Sequence, residues 1–220
     1  RSCKYYVSLL RVDTIHRHSH IVAPVFGLGS PQEELKRLVH YVQASNCSVT
    51  LHSNFPTYCH TIVSDDASVL LISYQPSLDV PEDLAKLRNF HVVTPIKHHH
   101  GVGLNVRNHG IGPAGMNQSS DKLWILKTLE ETVDDLFGGQ NIDLLIIDMN
   151  GGEFTLFPNL LRLANETRFT QLSVRGHVWS EENENFRQLY WNLRQLESYG
   201  YLHQYGQVEL PRYDIVYVRE

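Results

Sequence analysis

One short segment, residues 143–147, constrains the fold of this 220-residue chain more than any other. The four residues 144–147 are all apolar, and the acidic Asp148 follows them directly. An unbroken apolar run of strand length is typical of a strand buried on both faces, as in the middle of a parallel sheet. The chain therefore has to supply neighbouring strands and the elements that cover them.

The rest of the sequence provides strands and helices in alternation, as such a sheet requires. Two helices are marked at their starts by capping boxes, from Ser30 to Glu33 and from Thr128 to Glu131. Further helices are predicted at 81–87, 154–163 and 182–199, and strands at 21–26, 48–52, 69–74, 91–94, 104–106, 171–174, 201–205 and 213–218. The pattern predicts one α/β domain over residues 1–220. We expect a Rossmann-like, mostly parallel sheet with helices on both faces and a C-terminal antiparallel strand pair. Residues 1–20 are expected to pack on this domain or lead into it.

Charge and hydropathy narrow the class of protein. The chain has 19 Lys and Arg against 24 Asp and Glu, a net charge of −5, which argues against a nucleic-acid binder with a broad basic face. No run approaches the ~20 apolar residues of a membrane-spanning helix.

Two features indicate the secretory pathway, either the Golgi lumen or the extracellular space. Asn46, Asn117 and Asn165 each begin an Asn-x-Ser/Thr sequon for N-glycosylation. Cys47 and Cys59 could close a short disulfide loop in an oxidising compartment. The alternative is that these two and Cys3 are reduced structural cysteines.

Candidate site residues follow from where ligands bind on such sheets, beyond the carboxyl ends of the strands. Gly27 and Gly29 follow a predicted strand and precede a capped helix, which suits close approach of a ligand to the backbone. A tight turn that needs two glycines is the alternative. Asp148 follows the central strand, where a carboxylate can reach a ligand or must find a partner.

Glu153 and His177 could lie near Asp148 and act with it in proton transfer or in binding a divalent metal. An acidic residue near the start of a helix is also favourable for the helix dipole alone, which is the other interpretation of Glu153. Two histidine groups, residues 16–20 and 98–100, raise a lectin-like or metal-binding module as a third class of function. A solvated polar face is the simpler interpretation of both groups.

Several stretches of the chain, in order, resemble those of FkbM-like and methyltransferase-like-24-type proteins, which are S-adenosylmethionine-dependent methyltransferases. Residues 142–154 resemble the Asp-Ile-Glu-Gly-x-Glu-Trp signature of that family, and residues 25–29 resemble its Ser-Phe-Gly-x-Gly cofactor loop. Further similar stretches are 47–49, 127–129, 171–177, 200–201 and 213–218. The resemblance implies a methyltransferase fold with Gly27, Gly29, Ser53 and Asp148 around S-adenosylmethionine. It also implies Glu153 or His177 as the catalytic base.

Three carboxylates of the family pattern are missing. Ser53 stands where the family has an Asp after its second strand, Asn150 replaces the first Glu of the signature, and Arg175 replaces the Glu of a later strand. Two functions therefore stay open. One is an O-methyltransferase of the secretory pathway that acts on a glycan or a small molecule. The other is a pseudoenzyme that serves as an extracellular protein-binding or structural module.

Overall fold

A computed structural model describes residues 29–52, 54–59, 64–77, 79–96, 104–118, 124–178 and 183–219. Gly27, Ser53, both histidine groups and the predicted strand at 21–26 lie outside these residues. The single domain over 1–220 stays a prediction. No helix in the described part of the chain is long and apolar enough to span a bilayer.

Five helices are described, two of which begin at the capping boxes that the sequence predicts. They are α1 (Pro31–Val42), α2 (Glu82–Ala85), α3 (Leu129–Phe137), α4 (Glu153–Asn165) and α5 (Asn183–Ser198). Both predicted capping boxes are confirmed, because the Ser30 and Thr128 side chains accept from the backbone of Glu33 and Glu131. Gly138 ends α3 at a φ of 58°, a left-handed conformation that favours glycine.

The strands form one large sheet and two small ones. They are β1 (Ala44–Ser45), β2 (Val49–His52), β3 (Phe55–Cys59), β4 (Ser68–Ser73), β5 (Asn89–Val93), β6 (Asn105–Arg107), β7 (Gly110–Ile111), β8 (Leu126–Lys127), β9 (Ile142–Asp148), β10 (Phe169–His177), β11 (Tyr201–Glu209) and β12 (Arg212–Arg219). The eight-stranded sheet has the order β1-β11-β12-β10-β9-β4-β5-β6. β2 with β3, and β7 with β8, form two-stranded sheets.

The large sheet is doubly wound. Its five parallel strands run β6-β5-β4-β9-β10, which is the order 3-2-1-4-5 along the chain. β12 joins β10 antiparallel and β11 joins β12 antiparallel, as the predicted closing pair. The predicted fold class is confirmed, and the switch point, where the strand order reverses, lies between β4 and β9.

The two faces of the sheet are covered differently. Helices α1, α3, α4 and α5 pack on one face over a core that includes Leu145, Leu172 and Tyr217. On the other face, Leu84 of α2 and the β2–β3 hairpin cover Leu144 and Ile146. Helices therefore lie on both faces, but a hairpin does much of the covering on the second.

The hairpin is held on the sheet by polar side chains of β10. Three alternate residues of β10 point to the same face, and each bonds the backbone of β3. Gln171 Oε1 accepts from the Cys59 amide at 2.8 Å, and Ser173 Oγ donates to the Thr57 carbonyl at 2.6 Å. Arg175 Nη2 donates to the Phe55 carbonyl at 2.7 Å. These bonds supply partners for backbone groups that leave the water when the hairpin packs down.

The position of the hairpin corrects one placement made from the sequence. The sequence predicts residues 48–52 as a strand of the main sheet, whereas β2 pairs with β3 only. In the main sheet, β4 pairs directly with β9 from Val69↔Leu144 to Ser73↔Asp148. The apolar pattern located β2 but did not reveal its partner.

The predicted disulfide is present between Cys47 and Cys59 and links the two strands of the hairpin across 12 residues of sequence. We expect the Cys47→Ser/Cys59→Ser variant to lose about 2–4 kcal/mol of unfolding free energy, because the unfolded chain gains loop freedom. Guanidinium denaturation of the oxidised proteins measures the loss. Wild-type protein unfolded in reductant is the control and should match the variant. Equal stability of oxidised and reduced wild type would contradict this role of the disulfide.

Candidate functional site

The crevice at the switch point is lined by the residues that end β4 and β9. The Tyr74 amide donates to the Asp148 carbonyl at 2.8 Å, so the strands β4 and β9 stay paired for one residue beyond the end of β4. The Gln75 Nε2 donates to Asp148 Oδ1 at 2.7 Å. The side-chain amide of Gln75 therefore contacts the Asp148 carboxylate at the point where a ligand of this fold would bind.

Asp148 is the most perturbed carboxyl group of this edge. Its side chain is only 2% exposed, and burial raises its pKa to about 6. The Gln75 hydrogen bond and the charge of Arg175 oppose that rise, while Asp214 adds to it. Near neutral pH this carboxyl group can hold or release a proton, which is a property that catalytic acids and bases share.

Asp148 belongs to a row of polar residues that crosses the sheet at one register level. Ser73, Asp148, Arg175, Asp214 and Gln207 are successive Cα partners on β4, β9, β10, β12 and β11. Residues at the same register level lie on the same face, here the face that carries the hairpin. These residues are widely separated in the sequence, and only the strand order brings them together.

Arg175 is the only positive charge in this row, and its guanidinium is bonded within the chain. Its Nε donates to Asp214 Oδ1 at 2.8 Å and its Nη2 to Asp214 Oδ2 at 3.2 Å. The same Nη2 reaches the Phe55 carbonyl. The Arg175 side chain is 5% exposed and that of Asp214 is 13% exposed, so this is a buried, two-pronged ion pair.

Glu153 and His177 meet, although the contact uses the backbone of the histidine. The His177 amide donates to Glu153 Oε1, and the Gly151 amide donates to Glu153 Oε2 at 2.9 Å. Glu153 is the first residue of α4, and its carboxylate ties the start of this helix to the end of β10. Burial raises its pKa, and the charge of Asp148 adds to the rise. Two backbone donors on one carboxylate are typical of a structural link.

His177 is the last residue of β10, two positions beyond Arg175. Burial lowers its pKa, and the positive charges of Arg175 and Arg212 lower it further. A neutral imidazole at physiological pH can accept a proton. The three predicted residues Asp148, Glu153 and His177 therefore share one neighbourhood. In the described part of the chain, no group of three or more His, Cys, Asp or Glu side chains is arranged to hold a metal ion.

Gly29 lies at the start of α1, a helix that packs against α5 and β11. Its amide already donates to Glu34 Oε1 at 2.8 Å, and Arg37 Nη1 donates to the same oxygen at 3.2 Å. β12 and β10 separate β11 from β9 in the sheet. Gly29 is thus described in a helix-capping role, while Gly27 and Ser53, the other predicted cofactor contacts, lie outside the described residues.

Tyr74, the residue before Gln75, is held by contacts with β7 and Trp124. Its hydroxyl accepts from the Ile111 amide at 2.6 Å and donates to the Ile111 carbonyl at 3.2 Å. Its ring packs edge-on against Trp124, with centroids 5.5 Å apart. Burial raises the pKa of Tyr74 to about 12, so at physiological pH the hydroxyl keeps the proton that it donates to the Ile111 carbonyl.

The residues at the switch point do not fit a nucleotide-containing cofactor in the usual way. Doubly wound folds hold such cofactors with a glycine-rich turn after the first strand and an acidic residue after the second. The turn after β4, residues 74–81, contains no glycine. The residue after β5 is the buried Thr94, and residues 94–103 contain no Asp or Glu. The carboxylate that remains, Asp148, is bonded to Gln75.

Comparisons with known proteins give little beyond the fold. No family model matches the chain, and no curated protein matches it either. Among solved structures, the chain is similar to one described as a Methanococcus jannaschii fibrillarin pre-rRNA processing protein. The identity is 8% and the TM-score 0.42, over 87% of this chain and 76% of that chain. Since this similarity is weak, the fold assignment rests on the strand order.

Sequence reasoning missed Gln75 and Tyr74 and did not pair Arg175 with Asp214. Gln75 stands in a turn without any motif, so no local signal marks it. Asp214 does carry a signal, because it interrupts the apolar residues of a predicted strand. A buried charge on such a strand needs a partner, and Arg175 offered the opposite charge.

We expect Asp148→Asn to stabilise the protein at pH 7 and to leave it unchanged at pH 4. The pKa of Asp148 rises from 3.8 unfolded to about 6 folded, so the folded state binds more protons in this window. Stability therefore falls as pH rises through it. Ionisation of the buried Asp148 carboxyl group lowers the unfolding free energy by about 2–3 kcal/mol at pH 7. An asparagine does not ionise and so avoids this loss. Urea denaturation from pH 4 to pH 7 measures the difference, and a pH-independent gap between the two proteins would contradict it.

Removing the charge of Arg175 should greatly lower the unfolding free energy only if the charge of its partner Asp214 remains. Arg175→Met leaves Asp214 buried without its cation, and we expect a loss of about 3–5 kcal/mol. The matched Arg175→Met/Asp214→Leu variant removes both charges and should recover much of the loss. Denaturation of the three proteins at pH 7 tests this. Equal losses in the single and double variants would show that the Phe55 contact, and not the ion pair, dominates.

Proposed function

We propose that this chain is a methyltransferase-like domain of the secretory pathway that does not catalyse methyl transfer and serves as an extracellular protein-binding or structural module. The observation that carries the proposal is that polar groups at the switch point are bonded within the chain. Gln75 bonds the Asp148 carboxylate, and Tyr74 bonds both backbone groups of Ile111. A cofactor would have to displace the Gln75 contact, and the chain has neither a glycine in the turn after β4 nor an acidic residue directly after β5.

The state of the other polar groups supports the same proposal. Glu153, a candidate base, accepts two backbone N–H groups and links α4 to β10. Arg175, which stands in place of a family carboxylate, is paired with Asp214 and the hairpin. Each group has a structural role that would be lost if it moved toward a substrate.

The location in the secretory pathway rests on the hairpin disulfide and on the sequons. A disulfide persists where the compartment is oxidising. The asparagines of all three sequons are exposed, as glycan attachment requires. The FkbM-like resemblance implies the same location.

A second candidate is an S-adenosylmethionine-dependent O-methyltransferase that acts on a glycan or a small molecule. The observation in its favour is the pKa of about 6 of Asp148, close to neutrality in a crevice where ligands of this fold bind. In that case Asp148 and the neutral His177 would bind the substrate or accept its proton, and S-adenosylmethionine would supply the methyl group. Gly27, Gly29 and Ser53 would frame this cofactor, as the resemblance implies.

Calorimetric titration of the folded, secreted chain with S-adenosylmethionine and S-adenosylhomocysteine separates the two functions. If the chain is a non-catalytic module, we expect no heat of binding and no change in Tm with either ligand at millimolar concentration. The same titration of Gln75→Ala, which frees the Asp148 carboxylate, tests whether the internal bond alone closes the site. Micromolar binding by the wild type that is lost in Asp148→Asn would reject the module in favour of the enzyme.

A further inference from the structure

A groove of about 490 Å³ lies between α4 and α5, on the helical face of the sheet. The residues that line it include Leu161, Arg162 and Asn165 of α4, and Asn192, Gln195 and Tyr199 of α5 and the turn after it. The switch-point chemistry uses none of them. The groove is therefore a separate feature of the surface, which the proposed function does not involve.

One lining residue, Asn165, is also the asparagine of a sequon. It is exposed as the last residue of α4, and Thr167, the hydroxyl residue of the sequon, is half-exposed. Thr167 has a φ of 59°, and its amide donates to the Ala164 carbonyl at 3.0 Å, so the chain turns sharply after the helix. The turn leaves the Asn165 side chain at the rim of the groove.

The groove has the side chains that suit a sugar. Tyr199 contributes a half-buried aromatic ring, which lines the groove and also packs against the helical core. Gln195 and Asn192 add amide groups that can donate to or accept from sugar hydroxyl and acetamido groups. The Nδ2 of Asn192 has no hydrogen-bond partner among the described residues. Rotation about χ2 would present either amide atom to the groove.

We propose that Asn165 is N-glycosylated and that the first N-acetylhexosamine of its glycan lies in the α4–α5 groove, against the ring of Tyr199. The sugar stacks its apolar face on the ring and bonds the amide of Asn192. It thereby joins the end of α4 to the end of α5. The inference rests on the secretory location proposed above.

The modification is a group transfer from a lipid diphosphate-linked oligosaccharide. The Asn165 Nδ2 forms a bond to C1 of the first sugar, and the bond from that C1 to the phosphate oxygen breaks. The lipid diphosphate leaves with the bonding electron pair, and one amide proton passes to a base of the transferring enzyme. The remaining N–H of the linkage stays at the mouth of the groove.

The other two sequons lack this setting and provide controls. Asn117 is exposed in the segment between β7 and β8 and does not line the groove. The Asn46 Nδ2 already donates to the His203 carbonyl at 3.3 Å, beside the Cys47–Cys59 disulfide. A glycan at Asn117 would therefore extend into solvent, whereas the Asn165 glycan has a surface to contact.

The test uses the full chain secreted from eukaryotic cells. Peptide mass spectrometry should find a glycan on Asn165, and Asn165→Gln should lower Tm by about 2–4 °C. In a Tyr199→Ala background, Asn165→Gln should leave Tm unchanged, since the sugar has lost its contact. In a Tyr199→Phe background, the loss should persist. Trimming the glycan to its first sugar with an endoglycosidase should preserve Tm, and the Asn117→Gln control should not change it.

Each contrary result has a distinct meaning. An unmodified Asn165 overturns the inference. The proposed function is tested separately, by the titration with S-adenosylmethionine. If Asn165 carries a glycan but Asn165→Gln lowers Tm equally with and without the Tyr199→Ala substitution, the sugar does not lie in the groove. The secretory location then still stands.

Discussion

The buried guanidinium of Arg175 is the interaction on which this architecture depends. It bonds Asp214 on the neighbouring strand with two prongs and the hairpin with a third bond, and it lies beside Asp148 in the same register. A charge taken out of water at this depth is tolerated only with partners of this quality. Because these partners come from β3 and β12, one side chain couples the disulfide-linked hairpin to the C-terminal strand pair. It also offsets part of the burial that raises the pKa of Asp148.

The crevice next to this guanidinium lies where ligands bind on doubly wound sheets. However, its polar groups are hydrogen-bonded to other groups of the chain. Gln75 and Tyr74, which follow β4, satisfy groups that a ligand would otherwise contact. The start of α4 has a similar arrangement, since Glu153 accepts N–H groups that an anion could have accepted. The polar groups of the edge are therefore bonded within the chain. A fold of this kind does not by itself fix a function.

Much of the fold could be predicted from the sequence because its signals are local. The apolar run before Asp148, the capping boxes at Ser30 and Thr128 and the closing strand pair each depend on neighbouring residues, and the structure contains all of them. The strand partners depend on distant parts of the chain. For that reason the sequence places residues 48–52 in the main sheet, while they pair within a hairpin. The site divides in the same way: Asp148 is marked by the strand it ends, whereas nothing near Gln75 indicates that its amide meets that carboxylate.

The two outermost strands of the large sheet are very short, with two residues in β1 and three in β6. An outer strand offers unpaired amides and carbonyls to any extended peptide, and its length sets how many it can offer. β1 bonds β11 only at Tyr205 and Gly206, and β6 bonds β5 over three residues. Neither outer strand can template a long intermolecular ladder. An unfolded chain would thus find little in these two strands on which to nucleate aggregation.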